Sequence, residues 1–294
     1  MVGVRVARRL LDYVELGKPR LMSLVLVTTA VGFYLGVETS AELSLLWPTL
    51  LGTALAATGS LTLNQVMERD TDALMRRTCR RPLPDGRLSV HEATAYGVLL
   101  SAAGVTSLWV TVGWLPALTT VVTIATYLFL YTPLKRRSPL CTIVGAIPGA
   151  LPPVTGWAAA RGTVSVESAA LFTILFLWQL PHSLAIAQLY KDEYEAAGVK
   201  VLPSLPQGEE LTGRQTVIHT VALALVALLP VPLGMAGTSY FITAVVTGAG
   251  FVAVSVAFAR HTSAARARAL LFASLIYLPL VLGMMAFDRQ WMLQ

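Results

Sequence analysis

Nine apolar runs, each nearly free of charge and roughly 17–23 residues long, leave this chain little choice of fold; they lie near 21–37, 43–63, 93–111, 114–132, 139–158, 166–188, 215–233, 238–259 and 267–287. A bilayer core holds no water for backbone N–H and C=O groups, so a spanning segment must pair them within a helix or a closed barrel. These runs are too long and too continuously apolar for barrel strands. The expected fold is all-α: a polytopic membrane protein with nine transmembrane helices in one bundle over residues 21–288. With 55% hydrophobic and 13% charged residues and a mean hydropathy of +0.66, the composition lies far from that of a soluble domain.

The basic residues then set the orientation. Lysines and arginines number five before the first run, six over 69–92, and three each over 133–138, 189–214 and 260–268; only Arg161 and Arg289 fall in the other connections. The positive-inside rule places the N-terminus and the four basic loops in the cytoplasm and the C-terminus outside. The net charge of +6 is thus a topology signal. No nucleic-acid module accompanies it, because the arginines lack the interleaved aromatics of an RNA-binding sheet. Residues 1–20 are too basic for the apolar core of a signal peptide and are expected to form a cytoplasmic interfacial helix. Cys79 and Cys141 fall on the reducing side without metal-type spacing, so both are expected free.

Directly behind the second run lies Asn64-Gln-Val-Met-Glu68-Arg-Asp70-Thr-Asp72, followed by Arg76, Arg77, Arg80, Arg81 and Pro82. Residues four apart drift only about 40° around a helix, so Asn64, Glu68 and Asp72 share one face. Asp70 lies about 200° from Glu68 and is expected to pair with an arginine of its own segment. Carboxylates at this spacing repel unless a cation sits between them, and an all-oxygen set favours Mg²⁺ or Ca²⁺ over zinc. The competing reading is a solvated juxtamembrane helix of alternating charge.

A second polar segment runs from Trp178-Gln179-Leu180-Pro181-His182 through Gln188, Lys191, Asp192, Glu193 and Glu195. Gln179 and His182 lie at membrane depth, where polar side chains face a cavity or the bundle interior; a lone histidine there is also a common packing residue. Four runs separate the two acidic clusters, which returns the chain to the same side in the same direction, so they face one mouth if runs 1–4 and 5–8 are related halves. A third piece, Tyr131-Thr-Pro-Leu-Lys135-Arg136-Arg137, is either a topology-setting basic stop or a set of cations for a leaving phosphate beside a tyrosine donor. The same two readings apply to Arg76, Arg77, Arg80 and Arg81. Acids and bases thus gather at one face above an apolar interior, as chemistry on a lipid diphosphate requires. A Gly-rich phosphate loop, a Ser/His/Asp set and a dinucleotide fingerprint are missing from the sequence. A secondary transporter would share the helix count, but transporters place ionisable residues near the midplane.

The combination of Asn64-x3-Glu68-x-Asp70-x-Asp72 leading into Arg80-Arg81-Pro82-Leu83-Pro84, Tyr131-Thr-Pro-Leu-Lys135, and Trp178-Gln-Leu-Pro-His182 leading into Asp192-Glu193-Tyr194 resembles the UbiA-like intramembrane prenyltransferases over roughly residues 15–285. The Trp-Gln-x-Pro-His segment is what favours a heme-modifying branch over branches that prenylate an aromatic quinone precursor or chlorophyllide. The resemblance implies an enzyme of the cell (inner) membrane that uses Mg²⁺ at the cytoplasmic face. It would join the farnesyl group of farnesyl diphosphate to a vinyl group of heme b, with a downstream heme A synthase as partner. It further implies that Asn64, Glu68, Asp72, Asp192 and Glu193 hold Mg²⁺ and diphosphate. Tyr131 and Lys135 join them, and Arg76, Arg80, Arg81, Lys135 and Lys191 neutralise the leaving group. Gln179 would contact substrate, and His182 would sit near the porphyrin as an orienting donor or an iron contact. Three positions depart from the pattern: Glu68 stands where an aspartate is common, Ala196 stands four after Asp192 where a second aspartate is usual, and Ser183 replaces an aromatic residue.

Overall fold

The structure, a computed structural model, describes residues 2–289. Among these residues every regular element is helical. A first helix, α1 (Val2–Leu16), carries exposed Arg8, Arg9, Leu10, Leu11 and Val14, while Asp12 and Leu16 are buried. Pro19 cannot continue α1 because its ring excludes the preceding residue from the helical region. Lys18 accordingly adopts φ 45°, and α2 (Pro19–Gly36) starts anew in a different direction. The remaining long helices are α3 (Leu46–Asp72), α4 (Val90–Thr111), α5 (Trp114–Leu134), α6 (Cys141–Arg161), α7 (Val166–Leu189), α9 (Gly208–Val226), α10 (Thr238–Arg260) and α11 (Ala264–Phe287); the short α8 (Lys191–Ala196) follows α7.

Seven of these, α2, α4, α5, α6, α7, α10 and α11, are long and apolar enough to cross a bilayer. α3 and α9 are not, because threonines and charged residues lower their hydropathy. The expected run 43–63 begins at Leu46 behind a short 3-10 turn and continues without a break to Asp72, so the acidic motif belongs to the same rod as the apolar segment. The expected run 215–233 is cut short: α9 stops at Val226, and a chain of turns around Pro230, Pro232 and Gly234 (φ 70°) carries the rest. The run near 139–158 is two helical pieces, Cys141–Ala150 and Pro152–Arg161, joined at Leu151. Pro152 lacks the N–H that an unbroken helix would use there.

Small residues set the helix spacing. In membranes, where lipid is as apolar as leucine, helices associate by close packing rather than by hydrophobic burial. α2 and the second half of α6 meet backbone to backbone: a Cβ at Gly32 would fall on the Pro153 carbonyl, and one at Gly156 on the Thr29 carbonyl. α3 and α4 interlock in the same way through Gly59 against Gly97 and Gly104 against Ala56. α7, α9, α10 and α11 instead pack around large side chains, including Leu171, Trp178, Tyr240, Phe258 and Tyr277.

At one end of the bundle a single guanidinium ties α1 to the α3–α4 loop. Arg87 pairs with Asp12, with Glu15 at 3.0 Å and with Asp85 at 3.1 Å, and donates to the Arg80 carbonyl at 2.6 Å. Gln65 on α3 donates to the Leu16 carbonyl at 2.8 Å, and Tyr13 meets Tyr96 edge to face. Lys18 is thereby held above the end of α3.

Candidate active site

Asn64, Glu68 and Asp72 lie on the buried side of α3, and each holds a cationic side chain from a different part of the chain. Asn64, with no exposed surface, accepts from the Lys18 Nζ at 2.8 Å and donates to Thr132 Oγ1 at 3.0 Å. Glu68 pairs with Lys135 at 2.6 Å, and Asp72 pairs with Arg81 at 2.6 Å. Asp70 points the other way and binds Arg69 on the surface, as the helical wheel requires. Three cations from α5, the α1–α2 junction and the α3–α4 loop therefore meet three oxygen donors within two turns of helix.

Lys18 was not among the residues singled out from the sequence, where it reads as one more member of a basic interfacial segment. Burial pushes its ammonium down to about 7, and the neighbouring Arg81 adds to the shift. The signal that identifies it is local: a lysine between Gly17 and Pro19 sits where α1 must end and the chain must turn toward the bundle.

α5 brings Tyr131 and Lys135 to the site through an irregular stretch. Thr126–Tyr131 is a π-helical turn, and Thr132 Oγ1 donates five residues back to the Tyr127 carbonyl at 2.8 Å. Tyr127 and Tyr131 stack, and the Lys135 ammonium lies 4.5 Å from the Tyr131 ring centre. Below this polar rim opens a cavity of about 330 Å³. Its upper wall is formed by Lys135, Tyr131, Tyr194 and Cys141, its middle by Ser60, Leu61, Gly145, Gln179 and Ser183, and its deep end by Thr53, Thr120 and Thr155. Gln179 lines it while donating to the Ala146 and Leu175 carbonyls at 3.4 and 3.1 Å.

The second acidic segment is placed differently from the first. Asp192 is exposed; Glu193 is half-buried, and its Oε2 is buried without a hydrogen-bond partner. Glu195 is also exposed. Arg77 is clamped between the Tyr190 and Tyr194 rings, 4.9 and 4.5 Å from their centres, so it staples the loop after α3 to α8. Arg76 and Arg80 are exposed.

Two expected residues have partners away from the cavity. Lys191, expected at the leaving group, turns to Glu209 on α9. Tyr190 breaks the helix between α7 and α8 (φ −119°, ψ 22°), so Lys191 does not continue the face of α7 that lines the cavity. His182, expected near an acceptor, does not line the cavity. It stacks on Trp178 and binds Ser274 of α11 through Nδ1 at 2.8 Å, and Trp178 Nε1 donates to the Ser274 carbonyl at 2.7 Å. The wheel explains it: His182 sits about 60° from Gln179 and about 100° from Ser183, turned toward α11.

Among the described residues no three His, Cys, Asp or Glu side chains converge closely enough to hold a metal. The donor chemistry nevertheless fits a hard cation. Amide and carboxylate oxygens are the ligands that Mg²⁺ takes, and the buried, unpartnered Glu193 Oε2 is a donor in want of a positive partner. Lys135 and Arg81 now neutralise Glu68 and Asp72; an arriving polyanion would draw both cations and free both carboxylates.

The sequence matches the UbiA prenyltransferase family over residues 25–276. It is 46% identical over 287 residues to the protoheme IX farnesyltransferase of Solibacter usitatus, covering 95% of this chain and 98% of that protein. It is 40% identical to the protein of the same name from Aquifex aeolicus, covering 94% of each. The fold resembles a solved digeranylgeranylglyceryl phosphate synthase with a TM-score of 0.81 at 14% identity, over 96% of this chain and 98% of that one. It also resembles a UbiA homolog from Archaeoglobus fulgidus bound to GPP and Mg²⁺, with a TM-score of 0.63 at 18% identity, over 94% and 99%.

Proposed function

We propose, from the premise that the chain belongs to the UbiA prenyltransferase family, that it is a protoheme IX farnesyltransferase that makes heme O. The enzyme moves the farnesyl group of farnesyl diphosphate to a vinyl group of heme b. The C1–O bond of the diphosphate breaks, the allylic carbon bonds one carbon of the vinyl group, and water adds to the other as the hydroxyl of the product, its second proton leaving with the diphosphate. The observation that carries this reading is the juxtaposition of Lys135–Glu68 and Arg81–Asp72 above a deep, mostly apolar cavity. The family assignment removes the transporter alternative.

The chain's own residues account for the two demands of the reaction. Lys135 and Arg81, joined by Lys18 once an arriving anion holds its proton, would supply positive charge where charge grows on the departing diphosphate. Tyr131, whose ring lies against the Lys135 ammonium, would offer a hydroxyl to the same oxygens. Asn64, Glu68 and Asp72, with Asp192 and Glu193 from the second segment, would hold Mg²⁺, which when bound neutralises the diphosphate and makes it a better leaving group. Arg76 and Arg80, both exposed on the loop after α3, would serve as outer cations. Arg77 acts indirectly, by fixing the segment that carries Asp192 and Glu193. The cavity excludes water from the allylic carbon, and Gln179 offers a polar contact midway down its wall. His182, held by Ser274, is an orienting residue for the α7–α11 wall rather than an iron contact.

The test is direct. Purified protein given heme b, farnesyl diphosphate and Mg²⁺ is expected to yield a heme heavier by one farnesyl group and one hydroxyl. EDTA should stop the reaction, and Mg²⁺ or Mn²⁺ should restore it. Prenylation of an aromatic quinone precursor without any heme product would overturn the acceptor, and full activity in chelator would overturn the metal.

The site is read as opening on the cytoplasmic side of the cell membrane, with nine spanning helices, residues 1–20 on the interface and the C-terminus outside. The product would pass to a heme A synthase. Cys79 is partly exposed and Cys141 buried. A membrane-impermeant maleimide is therefore expected to modify Cys79 in inside-out vesicles and neither cysteine in intact cells; labelling of Cys79 from outside reverses the orientation.

A further inference from the structure

We infer that Thr53, Thr120 and Thr155 form a gauge that closes the tail cavity at the length of a farnesyl chain. The inference rests on the prenyl-transfer reading and adds the residues that set chain length.

Along each helix the cavity wall ends at a threonine. On α3 the lining residues are Leu61, Ser60, Ala57, Ala56 and Thr53, and nothing beyond Thr53 takes part. On α5 the wall runs from Lys135 through Tyr131, Tyr127 and Thr123 to Thr120, and on α6 from Cys141 to Thr155. The walls contributed by α2 and α7 end higher, at Val25 and Gln179. All three threonines are buried, at 6%, 6% and 2% exposure. Thr120 donates to the Pro116 carbonyl at 2.8 Å, and Thr155 bonds Thr119 at 2.9 Å. The Thr53 hydroxyl has no partner. A buried hydroxyl left unpaired costs free energy, and this one gains no hydrogen bond in return, so what Thr53 contributes at the cavity end is its volume.

The depth fits one tail length. Glu68 to Thr53 is fifteen residues of α-helix, about 22 Å, and Lys135 to Thr120, which includes the π turn, about 21 Å. A diphosphate and its hydrogen bonds to the rim cations take roughly 5 Å of that depth. About 17 Å remains for the tail. From ordinary C–C bond lengths an extended isoprene unit covers about 5 Å, so three units need about 15 Å, two leave a void and four do not fit.

Thr53→Leu is expected to move the end wall up by one side chain, and Thr53→Ala to lower it. The purified protein would be assayed with heme b and geranyl, farnesyl or geranylgeranyl diphosphate in turn, with kcat/KM for each read from the mass of the prenylated heme. In the wild type farnesyl should lead. Thr53→Leu should shift the geranyl-to-farnesyl ratio at least 10-fold toward geranyl, within the range that a methylene-sized misfit produces in an apolar pocket. Thr53→Ala, which cannot overpack, should raise the geranylgeranyl-to-farnesyl ratio by a similar factor, and Thr120→Leu should reproduce the effect of Thr53→Leu from another helix. Ratios unchanged within 2-fold in Thr53→Ala and in whichever leucine variant folds would overturn the gauge; so would a uniform loss across all three lengths. If the wild type prenylates no heme, the acceptor reading fails, but the gauge is still read from binding of thiolodiphosphate analogues of the three lengths, whose affinity order should shift in the same way.

Discussion

Glu68→Gln is expected to lower turnover about 10³-fold while the protein remains folded, because the change keeps shape and removes charge at the point where cations are organised. Glu68 is the buried counter-ion of Lys135, and Lys18 reaches the same face through Asn64. With a neutral amide there, the ammonium of Lys135 loses its fixed position, and a divalent cation loses a charged ligand. Asp192→Asn should be comparably damaging if the two acidic segments serve one ion. The double variant should then be no worse than either single one, since groups that act as a unit are lost only once. Single-turnover measurements on detergent-purified protein decide it. Near wild-type turnover in Glu68→Gln removes this residue from the site, and multiplicative losses in the double variant separate the two segments.

Gly156→Val should prevent the bundle from assembling, by about 3 kcal/mol or more. Its neighbour is the main chain of α2, which has no rotamer with which to move aside. Any side chain at Gly156 meets the Thr29 carbonyl and the Phe33 amide, and any at Gly32 meets Pro153. To accept a valine the helices must part, and the walls of the cavity near Pro152 and Thr155 part with them. The yield of monodisperse protein and its melting temperature in detergent should both collapse. A variant that melts with the wild type would mean that this crossing does not hold the bundle.

Much of this was legible in the sequence because helical period is a local property. The four-residue spacing of Asn64, Glu68 and Asp72 put them on one face without knowledge of any neighbour, and the position of Asp70 on the wheel put it outside. Their partners were not legible. Lys18, Arg81 and Lys135 come from three separate segments, and only the packed bundle decides which cation meets which acid. The partners of His182 and Lys191 were not legible for a related reason. A wheel gives angles within one helix, but it does not say which neighbour lies at each angle, and it loses phase where Tyr190 ends α7. The deep end of the cavity gave no sequence signal, since threonines in apolar helices ordinarily bond their own backbone, as Thr120 does.

The wide turn at Thr126–Tyr131 gives α5 a property that no substitution would reveal. A π turn holds one residue more than the α-helix it interrupts, so deleting a single residue there would let the helix close into regular register. The same deletion anywhere else in α5 would instead rotate everything beyond it by about 100° and withdraw it by one step. Lys135 would leave Glu68, and its carbonyl, which now accepts from the Lys200 amide at 2.8 Å, would drop the loop after α8 as well. A one-residue deletion should therefore be tolerated within this turn far better than elsewhere in α5, and single-residue gaps among homologous chains should fall in it.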